Sequence, residues 1–249
     1  GDFDPVNSLA AIQDQFGNWE PQKSKHSYEG PQLLSEQLSQ STIYLADKPG
    51  AAQSVIRAGH LVMPRKNDSY FSMNIVNYIF GGQFSARLNM NLRQDKGYSY
   101  GYMSSIDWLH EKSLLSAGGS VQTEVTKEAI EETITEFLDI MDVRPITDEE
   151  FTDARESILR SFPSQFETQG QVLQQLVRLV HFDLPLDYFT TYKDKIYQVS
   201  QNDTIAAAKK HIDGNHLKIV VVGDANIIRP SLQELGIPII ETDYEGTIL

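Results

Sequence analysis

Residues Phe80–Tyr102 read FGGQFSARLNMNLRQDKGYSYGY, and this stretch sets a helix, a turn and a strand in one phrase. A glycine pair, Gly81-Gly82, precedes a helix expected at about Phe84–Gln94. Gly97 then turns the chain into a strand expected over Tyr98–Ile106. Arg93 and Tyr100 therefore stand on either side of the turn. A fixed arginine or tyrosine hydroxyl can donate to a carbonyl oxygen and grip it harder as negative charge develops there. Arg offers a rigid donor fork and Tyr a single phenolic donor. Both residues also have an ordinary role. A cation suits the last turn of a helix, and tyrosine is a common strand residue. Tyr98, Tyr100 and Tyr102 fall at period two, which places them on one strand face. Such a face packs a core or lines a peptide cleft. Gly81-Gly82 lacks the Lys-Ser/Thr of a phosphate loop, so it is expected to form a close-packed or flexible turn beside a ligand.

Working outward, strands are expected at Ser41–Ala46 and Ser54–Leu61 around the turn Asp47-Lys48-Pro49-Gly50, and at Ser113–Val121. Helices are expected at Ser69–Phe80 and at Glu124–Met141, the latter with Ile130, Ile134, Phe137, Leu138 and Met141 on one face. Pro145 ends that helix. Thr147 and Glu150 then form a capping box, with Ile146 and Phe151 as its hydrophobic staple, opening a helix to about Ser161. The acidic group Glu149, Glu150 and Asp153 reads as a solvated first turn that suits the helix dipole, not as a metal site. Further helices are expected at Gln169–Phe182, Leu186–Gln198 and Ser200–Ile212. Strands with helices to one side, without strict alternation, indicate an α+β fold: a mixed or antiparallel sheet with helices packed on one face.

The ends of the chain echo each other. Leu217–Val222 is an apolar strand candidate followed by Gly223-Asp224 and a helix ending at Leu235-Gly236. The chain opens with Asp4-Pro5, a helical stretch Val6–Phe16 and Gly17, the same phrase without its strand. The expected organisation is a last element of a preceding homologous domain at residues 1–20, a linker at 21–40 rich in Pro, Gly and polar residues, and one domain at 41–249.

The Phe80–Tyr102 phrase resembles the pitrilysin/insulinase-type zinc peptidases, the inverzincins, and specifically their zinc-free second half. Gly81, Gly82, Ala86, Arg87, Leu88, Leu92, Arg93, Gly97 and Tyr100 fit that pattern in order. The resemblance extends over essentially all of residues 40–249. It implies a duplicated ferredoxin-like layer, two of which make one peptidase. It also implies that Arg93 and Tyr100 bind substrate and assist oxyanion stabilisation, with Gly81, Gly82, Tyr98 and Tyr102 beside the peptide. The partners implied are a homologous zinc-binding half, in the same parent chain or as a separate subunit, and a peptide substrate. The same fold also serves non-proteolytic scaffolds, such as core subunits of a respiratory complex, and a peptide-binding module is a further alternative.

No zinc site is expected in this chain, and zinc belongs to the partner half. The family motif is H-x-x-E-H on a helix, and none of the six histidines completes it. His26 begins H-S-Y-E-G. His110 is followed by Glu111 and then Lys112, Ser113 and Leu114. His211 and His216 straddle Gly214. The helix SYFSMNIVNYIF, Ser69–Phe80, holds neither His nor Glu. The 249 residues suffice for a full core. A net charge of −13 argues against nucleic acid or an anionic membrane as partner, and no apolar run reaches the ~20 residues that span a bilayer. Zero cysteines exclude disulfides and thiolate metal sites. They leave the compartment open, bacterial periplasm and cytoplasm alike.

Overall fold

A computed structural model describes residues 2–20 and 40–249. The expected linker, except Gln40, and the His26/Glu29 pair lie outside the described residues. Within them, six strands form one mixed sheet in the order β3-β4-β2-β5-β1-β6. Its strands are β1 Thr42–Asp47, β2 Gln53–Val62, β3 Ser99–Asp107, β4 Ser113–Gln122, β5 Lys218–Gly223 and β6 Ile239–Thr242. β1 lies parallel to β5 and β6, while β2 pairs antiparallel with β4 and β5, and β3 pairs antiparallel with β4. The short strand β6 is absent from the sequence expectations. Its Ile239 and Ile240 follow Pro238, and four residues are too few to show a period.

The helices are α1 Pro5–Phe16, α2 Tyr70–Phe80, α3 Arg87–Asn89, α4 Thr126–Asp139, α5 Asp148–Ser161, α6 Gln169–His181, α7 Tyr188–Gln198, α8 Gln201–His211 and α9 Ala225–Gln233. Alternation along β2 shows how they are layered. Ser54, Ile56 and Ala58 are buried, whereas Val55, Arg57 and Leu61 are exposed. The buried side meets α2, α4 and their neighbours in one core that includes Ile43, Ile56, Phe80, Leu88, Leu115, Phe137, Ile219 and Val221. Phe80 and Phe137 meet edge to face with centroids 4.7 Å apart, a favoured aromatic geometry. The other side of the sheet is uncovered by helices, with Val55, Leu61, Met103, Leu114 and Val220 all partly open to solvent. This is the α+β arrangement expected, with helices on one face.

One buried charge breaks the otherwise uncharged buried stripe of α4. Glu136 is 1% exposed, a position that an unpaired carboxylate would not occupy. It is ion-paired with Arg144 and accepts from Asn91 Nδ2 at 2.9 Å. Because Arg144 lies after the helix has ended, the 3.6-residue period alone does not reveal the pair.

Helix α1 is capped by Asp4, whose carboxylate accepts from the Asn7 amide at 2.8 Å. None of its residues is buried, and Val6, Leu9, Ile12 and Phe16 leave most or half of their surface in water. A helix of this length without packing is marginal. Its amides are therefore expected to exchange faster than those of α4 in hydrogen-exchange mass spectrometry. Protection of Ala10–Phe16 as deep as that of α4 would place the helix on this domain's own core.

Candidate functional site

The site begins where α2 ends. The amides of Gly81 and Gly82 both donate to the carbonyl of Asn77, at 3.0 and 2.7 Å. Gly81 is buried and its carbonyl accepts from the Ser104 amide on β3 at 2.9 Å. A Cβ on Gly81 would come within 2.6 Å of that amide nitrogen and 2.8 Å of Leu88 Cδ1. Gly81 therefore permits close helix–strand packing. Gly82 is exposed, with Asn77 and Tyr78 behind it.

The helix expected from Phe84 starts only at Arg87 and changes character midway. After Arg87–Asn89 the chain widens into a π-helical turn, Met90–Asp95, a rare element frequent at functional sites. Residues 83–86 are instead taken up by a local turn, in which Gln83 Oε1 accepts from the Ser85 amide and hydroxyl, both at 2.8 Å. The π-turn is held against α4 on its inner side. Asn91 Nδ2 donates to Glu132 and Glu136, each at 2.9 Å, and Lys96 Nζ to Glu132 at 2.6 Å. Burial alone would raise the Glu132 pKa, but the bonds from Lys96 and Asn91 outweigh it and hold the carboxyl below its ordinary range.

Arg87 anchors the front of the same segment. Its guanidinium grips Glu150 through two bonds, Nε to Oε1 at 2.7 Å and Nη2 to Oε2 at 2.6 Å. It also donates to the carbonyls of Arg144 at 2.5 Å and Pro145 at 3.2 Å. Glu150 closes the capping box with Thr147 as expected. It is not a purely solvated acid, however, because Arg87 neutralises it. Arg93, by contrast, makes no ion pair among the described residues. Its guanidinium lies over the Phe84 ring, 4.3 Å from the centroid, half-buried and free to donate.

Gly97 makes the turn out of this segment with φ +69, a left-handed conformation that suits glycine. β3 then opens on a bulge, with the register shifting between Ser99 and Tyr102. The Ser99 hydroxyl lies 2.7 Å from the Ser120 carbonyl and 2.8 Å from that of Gly101, and accepts the Gly101 amide at 3.1 Å. Asn89 Oδ1 takes the Tyr102 amide at 3.0 Å. The bulge adds one residue to one strand and so re-aims side chains.

The consequence corrects the single tyrosine face. Tyr102 is fully buried, its hydroxyl bonded to Thr133 Oγ1 at 2.8 Å. Burial pushes its phenol far above the ordinary range, so it stays neutral. It is a core residue, one of the two roles expected of the strand tyrosines. Tyr98 is half-buried and packs on the core. Tyr100 points away from both and is 90% exposed. Arg93 and Tyr100 thus stand accessible on either side of the Gly97 turn, whereas Gly81 and Tyr102 are buried.

One exposed cation has no counterpart in the sequence expectations. Arg57 stands mid-sheet on the uncovered face, paired across to Gly118 and Val220. It lines a shallow cleft of about 400 Å³ with Gly101, Met103, Ser105 and Ser116. The signal available was a lone charge in a strand of otherwise uncharged or apolar residues. Among the described residues, no group of three or more His, Cys, Asp or Glu is placed to hold a metal ion, and no helix is long and apolar enough to cross a membrane.

The family model described as the peptidase M16 inactive domain matches residues 1–158. The chain belongs to this family. As an inactive-domain member it is of the zinc-free type. A relative from Helicobacter pylori (strain ATCC 700392 / 26695), named non-peptidase homolog YmxG, is 23% identical over 155 residues, covering 60% of this chain and 34% of the relative. The uncharacterized zinc protease YmxG of Bacillus subtilis (strain 168) is 22% identical over 164 residues, covering 66% of this chain and 38% of the relative. The chain thus matches little more than a third of either curated relative. The crystal structure of a peptidase M16 inactive domain from Pseudomonas fluorescens superposes with a TM-score of 0.67 at 20% identity, covering 74% of this chain and 44% of the other. At that identity the likeness shows the shared fold.

Proposed function

We propose that this M16 inactive domain is the zinc-free half of a two-half zinc metallopeptidase. It forms one wall of the substrate chamber and presents Arg93 and Tyr100 to the peptide backbone. The observation that carries this reading is the β3 bulge. It sends Tyr102 into the core and Tyr100 into solvent, one turn after an arginine without an ion-pair partner among the described residues. Such a pair suits a chamber in which a tetrahedral oxyanion forms near zinc held by the opposite half. The uncovered sheet face, apolar with Arg57 at its middle, suits an extended peptide lying against it. The β3 edge offers backbone groups for strand addition, which gives affinity without sequence choice. The exposed apolar side of α1 fits packing against the zinc half.

The name of the Helicobacter pylori relative, a non-peptidase homolog, favours a second reading. In it, the same domain acts as a scaffold and the Arg93–Tyr100 region as architecture.

The first test is of metal and activity together. The purified chain, dialysed exhaustively and analysed by mass spectrometry for metals, is expected to hold no stoichiometric zinc, since three suitably spaced ligands are lacking. It is also expected to hydrolyse no peptide alone. One tightly held zinc per chain would overturn the assignment to the zinc-free half.

A further inference from the structure

Away from the bulge, at the far end of β2, a second site is built around Arg65. Arg65 as a whole residue is 7% exposed, and an arginine so buried calls for a negative partner. None of the described carboxylates pairs with it. It rests on the Tyr70 ring, 3.3 Å from the centroid, and donates from Nη2 to the Tyr188 hydroxyl at 2.6 Å. A guanidinium has five N–H donors, and the bond to Tyr188 is the one side-chain hydrogen bond of Arg65 among the described residues, which leaves donors free to meet a ligand in the pocket.

Arg65 lines a partly open pocket of about 530 Å³, within the size range of small-molecule sites. Its walls are largely aromatic, with Trp108, Phe162 and Tyr192 facing it together with Tyr70 and Tyr188. Phe162 and Tyr192 are stacked, 4.4 Å apart at 8°, which fixes a flat surface. Arg178 supplies a second cation on the wall, and Asp107 the one carboxylate. Asn74 also lines the cavity, and its Nδ2 is buried without a protein partner among the described residues. The wall is therefore rich in donors and flat rings, in a chain whose overall charge is −13.

We infer that this cavity binds a carboxylate carried on a flat apolar body, with the acid on Arg65 and the body between the rings. A free aromatic acid and the C-terminal residue of a peptide share that chemistry. The inference stands independently of the chamber proposal.

The sequence holds two tryptophans, so Trp19→Phe leaves Trp108, on the cavity wall, as the fluorescent reporter. 3-Phenylpropionate is expected to change Trp108 emission saturably with Kd on the order of 1 mM or tighter. 3-Phenylpropionamide, with the same body and no charge, is expected to bind at least tenfold more weakly. Acetyl-Gly-Phe and its C-terminal amide repeat the comparison for a peptide end. Binding of the peptide acid identifies a peptide C-terminus as the occupant, and binding of phenylpropionate alone identifies a small acid. Arg65→Met should abolish the carboxylate preference. Should that variant fail to fold, Arg178→Met at an exposed position is expected to weaken the acid severalfold and leave the amide unchanged. Equal affinity for acid and amide would overturn the proposal, as would no saturable change with either acid. A carboxylate preference that survives Arg65→Met, or acid affinity unchanged by Arg178→Met where Arg65→Met does not fold, would reduce Arg65 to a structural clamp between β2 and α7.

Discussion

Tyr100→Phe, in the proposed peptidase assembled with its zinc half, is expected to lower kcat about a hundredfold, the scale of losing one oxyanion donor. The change removes one hydroxyl and keeps the ring. Tyr100 is 90% exposed in this domain, so its hydroxyl supports no packing that the substitution could disturb. Zinc content and thermal stability should therefore stay as in the parent. Arg93→Ala is expected to raise KM as well as lower kcat, if the guanidinium holds the peptide before the reaction and the oxyanion during it. Arg93→Lys should not restore activity fully, because an ammonium lacks the planar fork. Steady-state kinetics on the three variants separates the roles. Full activity in a well-folded Tyr100→Phe, Arg93→Ala double variant would remove the pair from catalysis and leave the scaffold reading.

The largest stability effect is expected at Arg87. Arg87→Ala leaves Glu150 without its bidentate partner and the carbonyls of Arg144 and Pro145 without a donor. Breaking a fully buried pair costs about 3–5 kcal/mol. Here the Glu150 side chain is 30% exposed, so water recovers part of that loss and about 2–3 kcal/mol is expected. Urea unfolding measures it. The pair also has a pH signature. Burial would raise the Glu150 pKa, but the bonds from Arg87 and Thr147 outweigh burial and bring it below the ordinary 4.5. A carboxyl with a depressed folded-state pKa stabilises fully above its unfolded pKa and loses that contribution as pH falls through the folded value. The gap between parent and variant should therefore be widest above about pH 5 and narrow below about pH 4. A gap that is the same at pH 7 and at pH 3 would mean that Arg87 acts through packing instead.

Much of this architecture is legible in local sequence, because its signals are local. Thr147 and Glu150 announce their capping box three residues apart, Gly97 sits where a left-handed turn is needed, and β2 alternates strictly from Gln53 to Ala58. The differences arise where distant residues decide. Period two across Tyr98, Tyr100 and Tyr102 assumes an unbroken strand. The bulge that breaks it depends on Ser99 meeting the Ser120 carbonyl and on Asn89 meeting the Tyr102 amide, contacts made across the fold. The π-helical turn likewise depends on Asn91 and Lys96 finding Glu132 on α4. Glu136 can sit in the core because Arg144 and Asn91 satisfy it. Arg57 shows locally only as a lone charge and Arg65 carries no local mark, since the surroundings of both are assembled from other strands and helices.

Peptide hydrolysis by the zinc half alone, by this chain alone and by an equimolar mixture bears most directly on the proposed division of labour. Turnover is expected in the mixture, with zinc bound to the partner half and none to this chain. Activity should rise with added chain until the two are equal in amount, and should stay near background when the added chain carries Tyr100→Phe and Arg93→Ala. A zinc half that is equally active without this chain, or a chain that hydrolyses peptide by itself, would contradict it.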